Sequence, residues 1–112
     1  MPKITINPLS TYSTTPTITG TVEFERFDNQ GNPKHTIQIV LNYVKYDLFG
    51  GHLGLNEYTY PFVWKLHLDT PMYPGTYDVE ANVIDVATNT IIASDDTTNE
   101  LVINRKIGRA HV

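Results

Sequence analysis

The chain has 112 residues, 40% of them hydrophobic, no cysteine, and 8 basic against 12 acidic residues for a formal charge of -4. That length suits one domain with a core of its own, and the lack of cysteine excludes disulfides and thiolate metal sites. The acidic balance argues against a nucleic-acid partner, and no apolar run approaches the roughly 20 residues of a membrane helix, so no membrane insertion is expected.

Val, Ile, Thr and Tyr recur while strong helix formers are sparse, which predicts an all-β chain. No charged segment followed by an apolar stretch opens it, so no secretion signal is expected. Lys3 to Ile6 is a short first strand ended by Pro8. A Ser/Thr-rich connector follows, then Thr17 to Phe24, with Ile18, Val22 and Phe24 on one face and threonines on the other, a half-buried strand. Asp28 to Pro33 is dense in turn formers. Thr36 to Val44 follows, with Ile37, Ile39, Leu41 and Tyr43 as its expected core face.

Residues 45 to 59 are the least regular. Gly50-Gly51 suggests a hairpin tip and Gly54 to Glu57 a second turn, so an exposed excursion is expected at an edge. Its Tyr46, Phe49, His52 and Tyr58 are the candidate ligand-binding residues. Beyond Pro61, Phe62, Trp64, Leu66 and Leu68 alternate with Val63, Lys65 and His67. Tyr77, Val79, Ala81 and Val83 then alternate with Asp78, Glu80, Asn82 and Ile84. A turn from Asp85 to Asn89 leads back through Ile91, and Leu101 and Ile103 close the pattern.

These segments predict an immunoglobulin-like antiparallel β-sandwich of about seven strands, an open or closed barrel being the alternative. Its expected core includes Ile18, Val22, Ile39, Leu41, Trp64, Leu66, Tyr77, Val79, Val83 and Leu101. Trp64 has two readings, a stacking platform for carbohydrate or a core ring, and its phase with Phe62 and Leu66 favours the core. Tyr77, just after Gly75, suits a tyrosine corner better than a surface contact.

The last residues, 106 to 112, break the pattern. Lys-Ile-Gly-Arg-Ala-His-Val is the in-frame translation of a common sequencing adapter, so the expected domain is 1–105 with a non-native tail. Without Lys106 and Arg109 the charge becomes about -6. A natural basic tail is the alternative.

The order of features resembles the bacterial immunoglobulin-like (Big-type) repeats of large surface adhesins and related phage virion proteins. The resemblance rests on Thr15-Pro16-Thr17-Ile18-Thr19-Gly20-Thr21-Val22, on Trp64 ahead of Gly75-Thr76-Tyr77, on Asp85 and Asn89 at the next hairpin, and on Asp96-Thr97-Thr98-Asn99-Glu100-Leu101. It covers residues 4 to 103. Two departures stand out: Thr88 replaces a glycine before the hairpin Asn, and the span from Tyr46 to Tyr60 is long.

The resemblance implies a spacer or display module beside neighbouring repeats, extracellular, on a cell surface or in a virion, with a cell-surface glycan or protein as partner. A carbohydrate-binding accessory module is a further alternative, requiring exposed aromatics such as Tyr43, Tyr46, Phe49, Tyr58 or Tyr60 arranged as a platform. It also implies calcium at module junctions, for which Asp85, Asn89, Asp95 and Asp96 are the candidate ligands; ordinary turn chemistry is the stronger explanation of them, and their spacing is not that of an EF-hand. No other cofactor is expected. His35, His52 and His67 lack zinc spacing, and Ser10, Ser13 and Ser94 lie in no nucleophile elbow, so an enzyme is not expected.

Overall fold

A computed structural model describes residues 2–95, 97 and 99–105. Its elements are all strands: Lys3–Ile4 (β1), Leu9–Thr11 (β2), Thr17–Glu23 (β3), His35–Leu41 (β4), Val44–Asp47 (β5), Leu53–Asn56 (β6), Phe62–His67 (β7), Gly75–Tyr77 (β8), Val79–Asp85 (β9), Thr90–Asp95 (β10) and Leu101–Ile103 (β11). They form three sheets, ordered β1-β3-β7-β6, β10-β9-β4-β5 and β2-β11-β8. The chain is an immunoglobulin-like sandwich. Eleven segments replace the expected seven or so strands because long strands are interrupted. β8 and β9 are halves of one strand broken at Asp78, while β10 and β11 share one strand's path and are separated by residues 96–100.

Alternation builds the core. Ile18, Gly20 and Val22 of β3 face inward, and the threonines between them face outward, where the Thr21 and Thr5 hydroxyls lie 2.6 Å apart. Ile18, Val22, Ile39, Leu41, Trp64, Leu66, Val79, Val83 and Leu101 are each at most 1% exposed, and Tyr77 packs half-buried against them. Fully burying one such aliphatic side chain is worth about 1.5–3 kcal/mol. Trp64 is a core ring whose Nε1 donates to the Thr5 carbonyl at 3.0 Å, so the one polar atom of the indole is satisfied. Its ring lies against Gly20, where a Cβ would come 2.6 Å from Cε2 and Cζ2 of the indole and 2.0 Å from the Thr5 oxygen. Only glycine leaves room for that approach.

The interruption in the β8/β9 and β10/β11 strands is stitched by carboxylates. Glu100 is 4% exposed; its Oε1 accepts from the Val79 amide at 3.1 Å, and its Oε2 accepts from the Thr97 hydroxyl. Asp78 Oδ1 accepts from the Asn99 amide at 2.7 Å. Amides that lose ladder partners at the break are thereby satisfied.

The ends of the chain's ladder are joined in parallel. β2 pairs with β11, with Leu9, Ser10 and Thr11 opposite Leu101, Val102 and Ile103. The Leu9 amide donates to the Glu100 carbonyl and the Asn104 amide to the Thr11 carbonyl, both at 2.7 Å, while Asn104 Nδ2 donates to Ser10 Oγ at 2.8 Å.

Three expectations are corrected. Tyr43 is not core: it is 99% exposed, because β4 ends at Leu41, and Asn42 and Tyr43 (φ 52° and 67°) form the two-residue turn between paired Leu41 and Val44. Both central residues with positive φ is the hairpin geometry that matches strand twist. Residues 45 to 59 are largely exposed and lie at sheet edges, as expected, but they are partly strand rather than irregular throughout. β5 is an edge of one sheet and β6 an edge of another, so the segment carries the chain across the sandwich. Gly50-Gly51 turns between sheets rather than at a hairpin tip, and Gly54 lies inside β6, not in a turn. Leu53, nominally in that excursion, is 2% exposed.

β10 contains a bulge. Ile91 pairs with Ile84 and Ala93 with Val83, leaving Ile92 as the extra residue.

Candidate ligand groove

The β4–β5 turn and the connection from Asp69 to Pro74 border one end of the sandwich. Backbone bonds from Leu68 to the Pro16 carbonyl (3.4 Å) and from Met72 to the Thr14 carbonyl (2.9 Å) hold that connection against the Ser/Thr-rich linker. Tyr77 fixes its far end: its hydroxyl donates to the Tyr73 carbonyl at 2.7 Å, the tie of a tyrosine corner. The Tyr73 ring is left 87% exposed.

Between these parts lies a groove of about 560 Å³, bordered by Tyr46, His52, Asp69, Met72, Tyr73 and Tyr77, with Leu41 and Leu68 among its apolar lining and Asn42 and Thr70 among its polar lining. His52 Nε2 lies 3.2 Å from Asp69 Oδ1 on the rim, and the Tyr46 and His52 rings meet edge to face at 5.7 Å. Burial, and secondarily the Asp69 charge, hold the Tyr46 phenol above its ordinary pKa. Among the described residues, no lysine or arginine lines the groove. A second depression of about 490 Å³ is also bordered by Asn42 and Tyr77, with Tyr43, Asp78 and Glu80 among its lining.

Two of the four candidate ligand-binding residues, Tyr46 and His52, therefore meet in one groove. The other two do not join them. Phe49 stacks on the Arg26 guanidinium, 4.9 Å from ring centroid to Cζ; the same cation lies 4.9 Å from the Phe27 ring and pairs with Glu57 at 2.6 Å. Phe49 thus closes a clasp between two loops. Tyr58 is 98% exposed next to an Asn56 turn, apart from the groove. Asp69, Met72, Tyr73 and Tyr77 complete the groove and were not expected in it. Their only signal in the chain is that Tyr73 and Met72 sit between Pro71 and Pro74, in a connection too short to bury both.

The candidate calcium ligands do not form one set. Asp85 Oδ1 accepts from the Ala87 and Thr88 amides in the β9–β10 turn, where the positive φ of 55° falls on Asn89, so Thr88 carries no such strain. Asp95 ends β10, pairing across to Ala81 while Asp85 pairs with Thr90, so the two occupy opposite ends of the hairpin. Its carboxylate accepts from the Ile6 and Thr97 amides. Asp96, like residues 106–112, lies outside the described residues. Among the described residues, no three His, Asp or Glu side chains are grouped for a metal.

No protein-family model matches the chain, and a search of curated proteins finds no match.

Proposed function

We propose that the chain is a non-enzymatic immunoglobulin-like structural or adhesive module, a spacer or display domain in a bacterial surface adhesin. The observation that carries this reading is the parallel pairing of β2 and β11. β2 lies near the start of the domain and β11 near its end. Pulling the two ends apart loads all the hydrogen bonds of a parallel pair together, in shear, whereas an antiparallel hairpin pulled at its open end breaks them one at a time. The Leu9, Asn104 and Ser10 bonds lengthen the same clamp. A domain built to transmit tension between its neighbours needs such a device. The loops are then free to recognise a surface while the sandwich holds them.

Presentation in a phage virion or tail protein is a second setting that asks the same of the fold. A carbohydrate-binding role is a further alternative; it calls for exposed rings arranged as a platform, and Tyr43, Tyr58 and Tyr60 are exposed.

Single-molecule pulling tests the spacer reading, because forced unfolding reports the barrier directly. The domain, placed in tandem and pulled through its termini, is expected to unfold at a higher force than when pulled through cysteines placed in the β9–β10 turn and at residue 105. Replacing Ser10 by Pro should lower the terminal-pulling force selectively. Equal forces in both directions would refute the load-bearing role.

A further inference from the structure

We infer that the groove between Tyr46, Asp69 and Tyr73 is a subsite for one neutral pyranose ring of a glycan. The inference rests on reading the chain as a display module and names what that module would hold.

A sugar ring has an apolar C–H face and an edge of hydroxyls. It is held by an aromatic face for the first and by paired donors and acceptors for the second. The groove supplies both. Tyr73 projects into solvent from a backbone carbonyl pinned by the Tyr77 hydroxyl, so its exposed ring is carried at a fixed place on the rim. Tyr46 is braced by the His52 ring. On the rim, the Asp69 carboxylate retains free acceptor sites beyond its contact with His52, and Asn42 and Thr70 add an amide and a hydroxyl.

Size and charge narrow the class. About 560 Å³ falls within the range of small-ligand sites and has room for a sugar ring but not for a folded partner. Asp69, with no lysine or arginine among the described residues of the lining, repels phosphate, sulfate and sialic acid carboxylates. A purely apolar side chain would strip water from the His52–Asp69 pair without replacing its hydrogen bonds. A neutral hydroxylated ring avoids both costs.

The test is amide chemical-shift mapping of the full chain with maltohexaose, chitotetraose and mannotetraose, and with free sialic acid, which has no neutral ring, as the anionic probe. The expected result is a saturable shift from at least one neutral probe, centred on His52, Asp69, Thr70, Tyr73 and Tyr77, with sialic acid binding more weakly. Tyr73→Ala and Asp69→Asn should each weaken binding by about tenfold, and both variants should keep the wild-type spectrum elsewhere. No shift with any neutral probe, shifts centred outside the groove, or equal binding of sialic acid would each overturn the inference. In the first two cases an unchanged terminal-pulling force leaves the spacer reading standing; cleavage of any probe would overturn both.

Discussion

Replacing Gly20 by Ala adds one methyl group at the tightest point of the core. Its carbon would meet the Thr5 carbonyl oxygen at 2.0 Å and the Trp64 ring at 2.6 Å. Ordinary contact needs the segment around Thr5 to retreat by about 1.5 Å. That retreat breaks the Trp64 Nε1 bond to the Thr5 carbonyl and the Thr5 amide bond to the Thr21 carbonyl, now 3.0 and 2.8 Å. Overpacking costs about 1–3 kcal/mol and each lost hydrogen bond about 1 kcal/mol, so the variant should lose about 3–5 kcal/mol. At roughly 4 °C per kcal/mol for a domain of this size, Tm should fall by about 12–20 °C. Calorimetry and urea unfolding of wild type, Gly20→Ala, Trp64→Phe and the double variant measure this. Because Phe removes the ring atoms nearest the new methyl, the double variant should be less destabilised than the sum of the singles, by about 0.5–3 kcal/mol. A Gly20→Ala loss below about 1 kcal/mol would refute the packing reasoning, since that is the cost of an average substitution.

Two further outcomes follow from single residues. Glu100→Ala leaves the Val79 amide without its partner in a buried place and should cost about 1–3 kcal/mol by urea unfolding, with Glu100→Gln costing less because its amide oxygen still accepts. Tyr43→Gly should be neutral to stabilising by up to about 1.5 kcal/mol: the ring is almost fully exposed, and the left-handed penalty of about 1–2 kcal/mol matches or outweighs the entropic cost of about 0.5–1 kcal/mol that glycine adds. A clear loss of stability in Tyr43→Gly would mean the ring packs against something.

Where one face of a strand is buried, period-two alternation made that strand legible in the chain: β3, β7 and β9 follow from Ile18 and Val22, from Phe62 to Leu68, and from Val79 to Val83. Alternation cannot report where a strand stops. Tyr43 continued the inward phase of Ile37, Ile39 and Leu41, but Asn42 could enter the left-handed region and turned the chain first. Nor does alternation survive at sheet edges, which is why β5 and β6 look like loop in the chain. The groove was half legible for a similar reason. Tyr46 and His52 stood out as polar aromatic residues in an irregular stretch, whereas Asp69 and Tyr73 reach them only through the packing of a connection distant in sequence. The parallel β2–β11 pair has no local signature, because its strands are separated by most of the domain.

Ile92, the extra residue of the β10 bulge, bears on solubility. Thr90 to Ser94 is an edge segment with no charge, rich in β-branched residues, and Ile91 and Ile92 are exposed. A flat edge of that composition is a template on which other chains could add strands indefinitely. The bulge breaks the hydrogen-bonding rhythm in its middle, so an incoming strand can keep register on one side of Ile92 and not on both. The edge is thereby protected from adding other chains by one residue too many, without spending a charged side chain on the task.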